Sequence, residues 1–101
     1  MKTVVLKFGG TSVGSIDRIK KVCKIIAFYK KRRNRVIVVS SAMSGVTNEL
    51  VHKSKLISNN FDSAEYDVLV STGEQVSCAL IAARLKHNGL KSRSWTSWQL
   101  P

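Results

Sequence analysis

A chain of 101 residues with 44% apolar content can build one modest core and no more. Six Gly, one Pro and mixed charge exclude a disordered or low-complexity chain, and apolar runs of a few residues fall far short of the ~20 that cross a bilayer. The net charge of +11 brings nucleic acid into consideration, so where the charge sits matters.

At the N-terminus Lys7 interrupts the apolar run that follows Lys2, which does not fit a signal peptide. Residues 3–8 (Thr-Val-Val-Leu-Lys-Phe) are instead predicted to form a buried strand that stops at Gly9-Gly10. Ser15 offers an N-cap to a helix with Ile16, Ile19, Val22, Cys23 and Ile26 on one stripe. Nine of the 17 basic residues lie between Arg18 and Arg35, mostly on the opposite face of that helix and in its last turn. Positive charge there suits the helix dipole, and the cluster has little aromatic or amide chemistry for reading bases. A solvated helix face is the favoured reading over nucleic acid or an anionic surface.

Asn34 is expected to end this helix, and residues 35–40 (Arg-Val-Ile-Val-Val-Ser) form the second strand. Strand, helix, strand is a βαβ unit with parallel strands. A hydroxyl-rich turn over residues 41–48 leads into a helix through Leu56, which Asn59-Asn60 breaks. A further helix runs from about Asp62 to Val70, and Ser71-Thr72-Gly73-Glu74 is expected to interrupt or bend it. Thr72 and Gln75 have capping-box spacing for a fresh helix to Asn88, with Gly89 as its C′ residue. Residues 91–100 are the candidate third strand. The fold class is therefore α/β, an incomplete three-layer α/β/α arrangement with a parallel sheet and helices covering it.

Cys23 and Cys78 stand far apart, in no metal-ligand spacing and each within an apolar helical pattern. They are read as reduced, packed thiols, which suits a cytoplasmic protein, and no metal site is expected.

Ligands of open parallel sheets bind at the carboxyl ends of the strands, where Gly9-Gly10, Ser40-Ser41 and Thr47 fall. Two adjacent glycines let a backbone approach a phosphate, and a lysine on the strand before them adds a point charge. This is neither a P-loop nor a dinucleotide fingerprint, and a tight strand-to-helix turn explains it equally well.

Three stretches carry a resemblance to a known family. Lys7-Phe8-Gly9-Gly10-Thr11-Ser12-Val13 resembles the opening signature of the aspartokinases. Residues 40–48 (Ser-Ser-Ala-Met-Ser-Gly-Val-Thr-Asn) resemble their second-strand turn, and residues 67–77 the segment that carries their Gly-Glu pair. The resemblance implies an amino-acid kinase fold and transfer of the ATP γ-phosphoryl group to the side-chain carboxylate of L-aspartate. It assigns Lys7, Gly9 and Gly10, with Phe8 between them, to the ATP phosphates, Lys7 also serving the chemistry. Ser41, Thr47 and Glu74 are assigned to the aspartate. ATP would enter with Mg²⁺ as its substrate complex, with no resident cofactor. Each role has a plainer counterpart: Ser41 satisfying strand-end backbone, Thr47 capping a helix, Glu74 favoured by a helix dipole.

The family resemblance implies that residues 1–101 are the N-terminal part of an amino-acid kinase domain, with the C-terminal half of that domain and the regulatory domains absent. Relatives carry a glycine where Ser97 stands. Such a piece is expected to be inactive alone, and to self-associate or to need a second polypeptide that supplies the remainder. The alternatives are a non-catalytic remnant and a basic module that binds nucleic acid or an anionic surface.

Overall fold

The computed structural model describes residues 1–100. Its elements in chain order are β1 (Thr3–Phe8), α1 (Ile16–Lys31), β2 (Arg35–Ser40), α2 (Val46–Ile57), α3 (Ser63–His87) and a 3-10 turn at Ser97–Gln99. The two strands pair in parallel, in register from Thr3 opposite Arg35 to Phe8 opposite Ser40. Two further bonds lengthen the ladder, Arg35 N–H to the Lys2 carbonyl (2.8 Å) and Ser41 N–H to the Phe8 carbonyl (3.0 Å).

Alternation along the strands decides what the sheet can cover. Leu6, Phe8, Val36 and Val38 turn toward a core made by Val13, Ile19, Val22, Cys23 and Ile26 with Ile81 and Leu85. The core thus joins the stripe of α1 to the second half of α3, over one face of the sheet. On the other face Val5 is 61% exposed and Ile37 and Val39 are each 49% exposed. α2 packs on α3 and touches neither strand. The parallel α/β architecture is as expected, but these helices do not cover both faces, and the described residues build two of the three layers.

α1 begins as anticipated, with the Ser15 hydroxyl accepting from Arg18 N–H at 3.2 Å. It ends through Asn34, whose side-chain amide donates to the Tyr29 carbonyl at 2.8 Å, and through Arg33 in the left-handed region at φ +60°. α3 closes on Gly89 (φ +86°), with Gly89 N–H bonded to Lys86 and Leu90 N–H reaching back to Leu85.

Two expectations differ. α3 is a single helix of 25 residues, not two. The hydroxyls of Ser71 and Thr72 bond back to the carbonyls of Val68 (2.9 Å) and Leu69 (2.7 Å), so they are satisfied inside the helix and cap nothing. By length and composition α3 could cross a membrane, yet its buried Gly73, Ser77, Ile81 and Leu85 serve the interior of this fold. Residues 91–96 form no strand either. They run beside the free edge of β2 with the Ser92 hydroxyl tied to the Ala82 carbonyl at 2.7 Å. Of the two cysteines Cys23 is fully buried and Cys78 only partly.

Candidate active site at the carboxyl edge of the sheet

β1 and β2 end side by side, and the turns that follow them are stitched together. Beyond the Ser41–Phe8 bond, Ser44 N–H donates to the Gly10 carbonyl at 3.1 Å. A Cβ on Gly10 would stand 3.0 Å from the Ala42 carbonyl oxygen, so the second turn crosses the first at a distance only glycine tolerates. Gly9 is exposed, and a Cβ built on it would meet no atom within 4 Å. The turn after β1 is closed by Val13 N–H to Gly9 and Gly14 N–H to Thr11, and the Arg18 guanidinium holds the Thr11 carbonyl at 2.9 Å.

Phe8 enters this edge through its backbone alone, because its ring packs against the core. Lys7, its neighbour, projects from the open face of the sheet, exposed and in no ion pair or hydrogen bond among the described residues. The Ser41 carbonyl accepts from the hydroxyls of Ser77 (2.6 Å) and Ser40 (3.1 Å), while the Ser41 hydroxyl itself has no partner among the described residues.

Two of the plainer readings lose their basis here. The N-cap of α2 is Gly45, at φ +86° and with no side chain to cap, so Thr47 lies one position inside the helix as an exposed hydroxyl and is not its cap. Glu74 is at the middle of α3, far from the first turn, so the helix dipole does not account for it. Its exposed side chain stands at a cleft of ≈ 900 Å³ that runs along the free edge of β2 and is bounded by α3 and residues 90–98. That cleft reaches Ser40 at the end of β2 but does not include Lys7, Gly9 or Gly10.

The structure therefore joins the glycine turn to the 41–46 turn through backbone contacts at Gly10. It joins α3 to that second turn through Gly73, packed on the side chains of Ala42 and Val46, and through the Ser77 hydroxyl on Ser41. Lys7 and Thr47 flank the same edge without contacting them. Sequence reading missed two residues that hold this edge together. Ser77 is fully buried, and a Cβ on Gly73 would stand 3.0 Å from both the Ala42 Cβ and the Val46 Cγ1. Their signal was the four-residue spacing of small residues in line with Ile81 and Leu85, which marks one face of a continuous helix.

A parallel strand pair ends here in a glycine turn bonded to a hydroxyl-rich turn, and the chain belongs to the amino acid kinase family, whose model matches residues 2–100. Among its relatives, an aspartokinase of Rickettsia conorii is 48% identical over 104 aligned positions, covering 100% of this chain and 26% of that protein. The aspartokinase of Geobacillus stearothermophilus is 50% identical over 99 positions, covering 98% and 24%. The crystal structure of aspartate kinase from Synechocystis superposes with a TM-score of 0.83 at 44% identity, over 85% of this chain and 15% of that one. The chain thus spans about a quarter of the length of the curated relatives it matches.

Proposed function

We propose that this chain contributes the N-terminal wall of an aspartate kinase site, which transfers the γ-phosphoryl group of MgATP to the side-chain carboxylate of L-aspartate. The observation that carries the reading is the meeting of the Gly9-Gly10 turn, the Ser41–Gly45 turn and the Gly73-Glu74 step at one edge of a parallel sheet. The names of its relatives support the choice of substrate.

In this reading the exposed backbone at Gly9 and the half-buried backbone at Gly10 approach the phosphates, and Lys7 supplies a positive charge to them. Phe8 contributes backbone while its ring anchors the turn from below. The free hydroxyls of Ser41 and Thr47 receive a carboxylate of aspartate, and Glu74 pairs with its ammonium. No general base is required: a carboxylate with an ordinary pKa of about 3.9 is ionised at neutral pH and is already a nucleophile. Rate enhancement then comes from holding two anions together and offsetting the charge that spreads over the transferring group. The family's reaction belongs to the cytoplasm, which suits two reduced thiols.

The test is trapping of the acyl phosphate with hydroxylamine, on the chain alone and with a polypeptide that supplies the remaining part of an aspartokinase. Aspartate-dependent product with the added polypeptide is expected. Lys7→Ala should then weaken the response to ATP, and Glu74→Ala the response to aspartate, each by about tenfold or more. Absence of product in both mixtures would sink the proposal and leave a non-catalytic remnant.

A further inference from the structure

Three hydroxyls on α3 have a choice of partner. Ser71 and Thr72 take carbonyls of their own helix. Ser77 does otherwise: its Oγ lies 2.6 Å from the Ser41 carbonyl, 36 residues away, and 3.1 Å from the helix carbonyl of Glu74. A hydroxyl has one proton, and the shorter contact identifies its acceptor as Ser41. Ser77 is fully buried, and the other donor to that carbonyl, the Ser40 hydroxyl, makes the longer contact of the two at 3.1 Å.

One turn earlier on the same helix face, Gly73 lies against Ala42 and Val46, at a separation that leaves no space for a methyl group. Between them the two residues fix α3 in distance, through Gly73, and in position along its axis, through Ser77. Glu74 follows the first directly and is one turn before the second. We propose that Gly73 and Ser77 are positioning residues that clasp α3 to the turn over residues 41–46, and so set the distance between Glu74 and the hydroxyls of Ser41 and Thr47. The clasp acts first on the aspartate side of the site. The glycine turn touches the 41–46 turn through Ser44 N–H but is closed by its own bonds, Val13 N–H to Gly9 and Gly14 N–H to Thr11, and is affected less. This rests on the functional reading above, and its test separates the two.

The experiment uses the isotopically labelled chain. Without ligand, Ser77→Ala is expected to speed amide exchange at Ser44 and Val46 by about tenfold, with β1 amides unchanged within about twofold. In titrations with L-aspartate and with ATP followed by amide shifts, the same variant should weaken aspartate by about tenfold and ATP by less than about twofold. Ser77→Thr, which keeps the hydroxyl, should recover most of the loss. Gly73→Ala, which keeps Ser77, should reproduce the selective loss, and it carries the test if Ser77→Ala fails to fold. Unchanged exchange in the 41–46 turn, or equal weakening of both ligands, would overturn the clasp. The titrations are run with the polypeptide that supplies the rest of the domain. If the unaltered chain binds no aspartate even then, the functional reading falls, and the exchange arm still decides whether the clasp exists.

Discussion

Cys23 has no space to ionise. It is fully buried, its thiol faces the Ile81 carbonyl at 3.7 Å, and burial pushes its pKa above the usual 9.0, with the nearby Arg84 guanidinium pulling only partly the other way. An acid whose pKa is raised by folding holds its proton while the unfolded chain loses it. Its contribution is therefore intact below the unfolded pKa near 9.0 and is lost as pH rises beyond it. Cys78 has the same direction, from burial first and the charge of Glu74 second. The midpoint of thermal unfolding should accordingly hold level up to about pH 9 and then fall. Cys23→Ala should start lower and fall less steeply, while an equal slope in both proteins would refute the assignment. At this scale the sequence was informative about which residues are buried and much less about what they touch. The i, i+4 apolar stripe exposed Cys23 as a core residue. No periodicity could reveal that Ser77 serves Ser41, because that partner belongs to another element and is chosen only when α3 docks.

At the scale of elements, Arg33 is an L-residue in a conformation that favours glycine. Arg33→Gly should raise stability to denaturant by about 0.5–1 kcal/mol, provided the exposed side chain has no other role. A loss on substitution would mean that Arg33 is held by a contact worth more than its backbone strain. β1, β2 and the start of α1 were legible to within a residue, and the end of α1, at Lys31, to within three, since strand alternation and helical spacing switch at Gly9-Gly10 and near Asn34. The middle of α3 misled for a physical reason. Ser, Thr and Gly in succession normally favour turns, yet two of these hydroxyls found carbonyls within the helix and the glycine was required by a neighbour. Residues 91–100 form no strand, Ser97–Gln99 being a 3-10 turn, because a β-like composition does not supply a partner.

For the whole molecule the dominant feature is an unbalanced sheet. Val5, Ile37 and Val39 form an exposed apolar row on one side, and the outer edge of β2 is unpaired beside a cleft lined by Trp95 and Trp98. Such a surface favours association. Sedimentation of the chain should show concentration-dependent species, and the pair Ile37→Lys with Val39→Lys should return it to monomer without unfolding it. A monomer at high concentration before any substitution would contradict this. The basic face of α1 offers a different chemistry. Its half-exposed Phe28 is covered by the Arg32 guanidinium at 3.5 Å, and the one ion pair among the described residues, Lys53–Glu49, lies elsewhere.

The parallel register of Thr3 with Arg35 also sets a timetable. A hairpin could close as soon as its turn is made, but this ladder waits until α1 and all of β2 have left the ribosome. The Cys23–Ile81 contact joins residues 58 apart and waits longer still. During synthesis the first strand therefore travels unpaired for some thirty residues, at roughly 5–20 residues per second, with Val4, Leu6 and Phe8 open to whatever else it meets. A dense run of positive charge along α1 emerges in that interval. Like charges on successive nascent chains repel, and the same lysines that crowd one face of the folded helix would then act as a guard against premature pairing between neighbours.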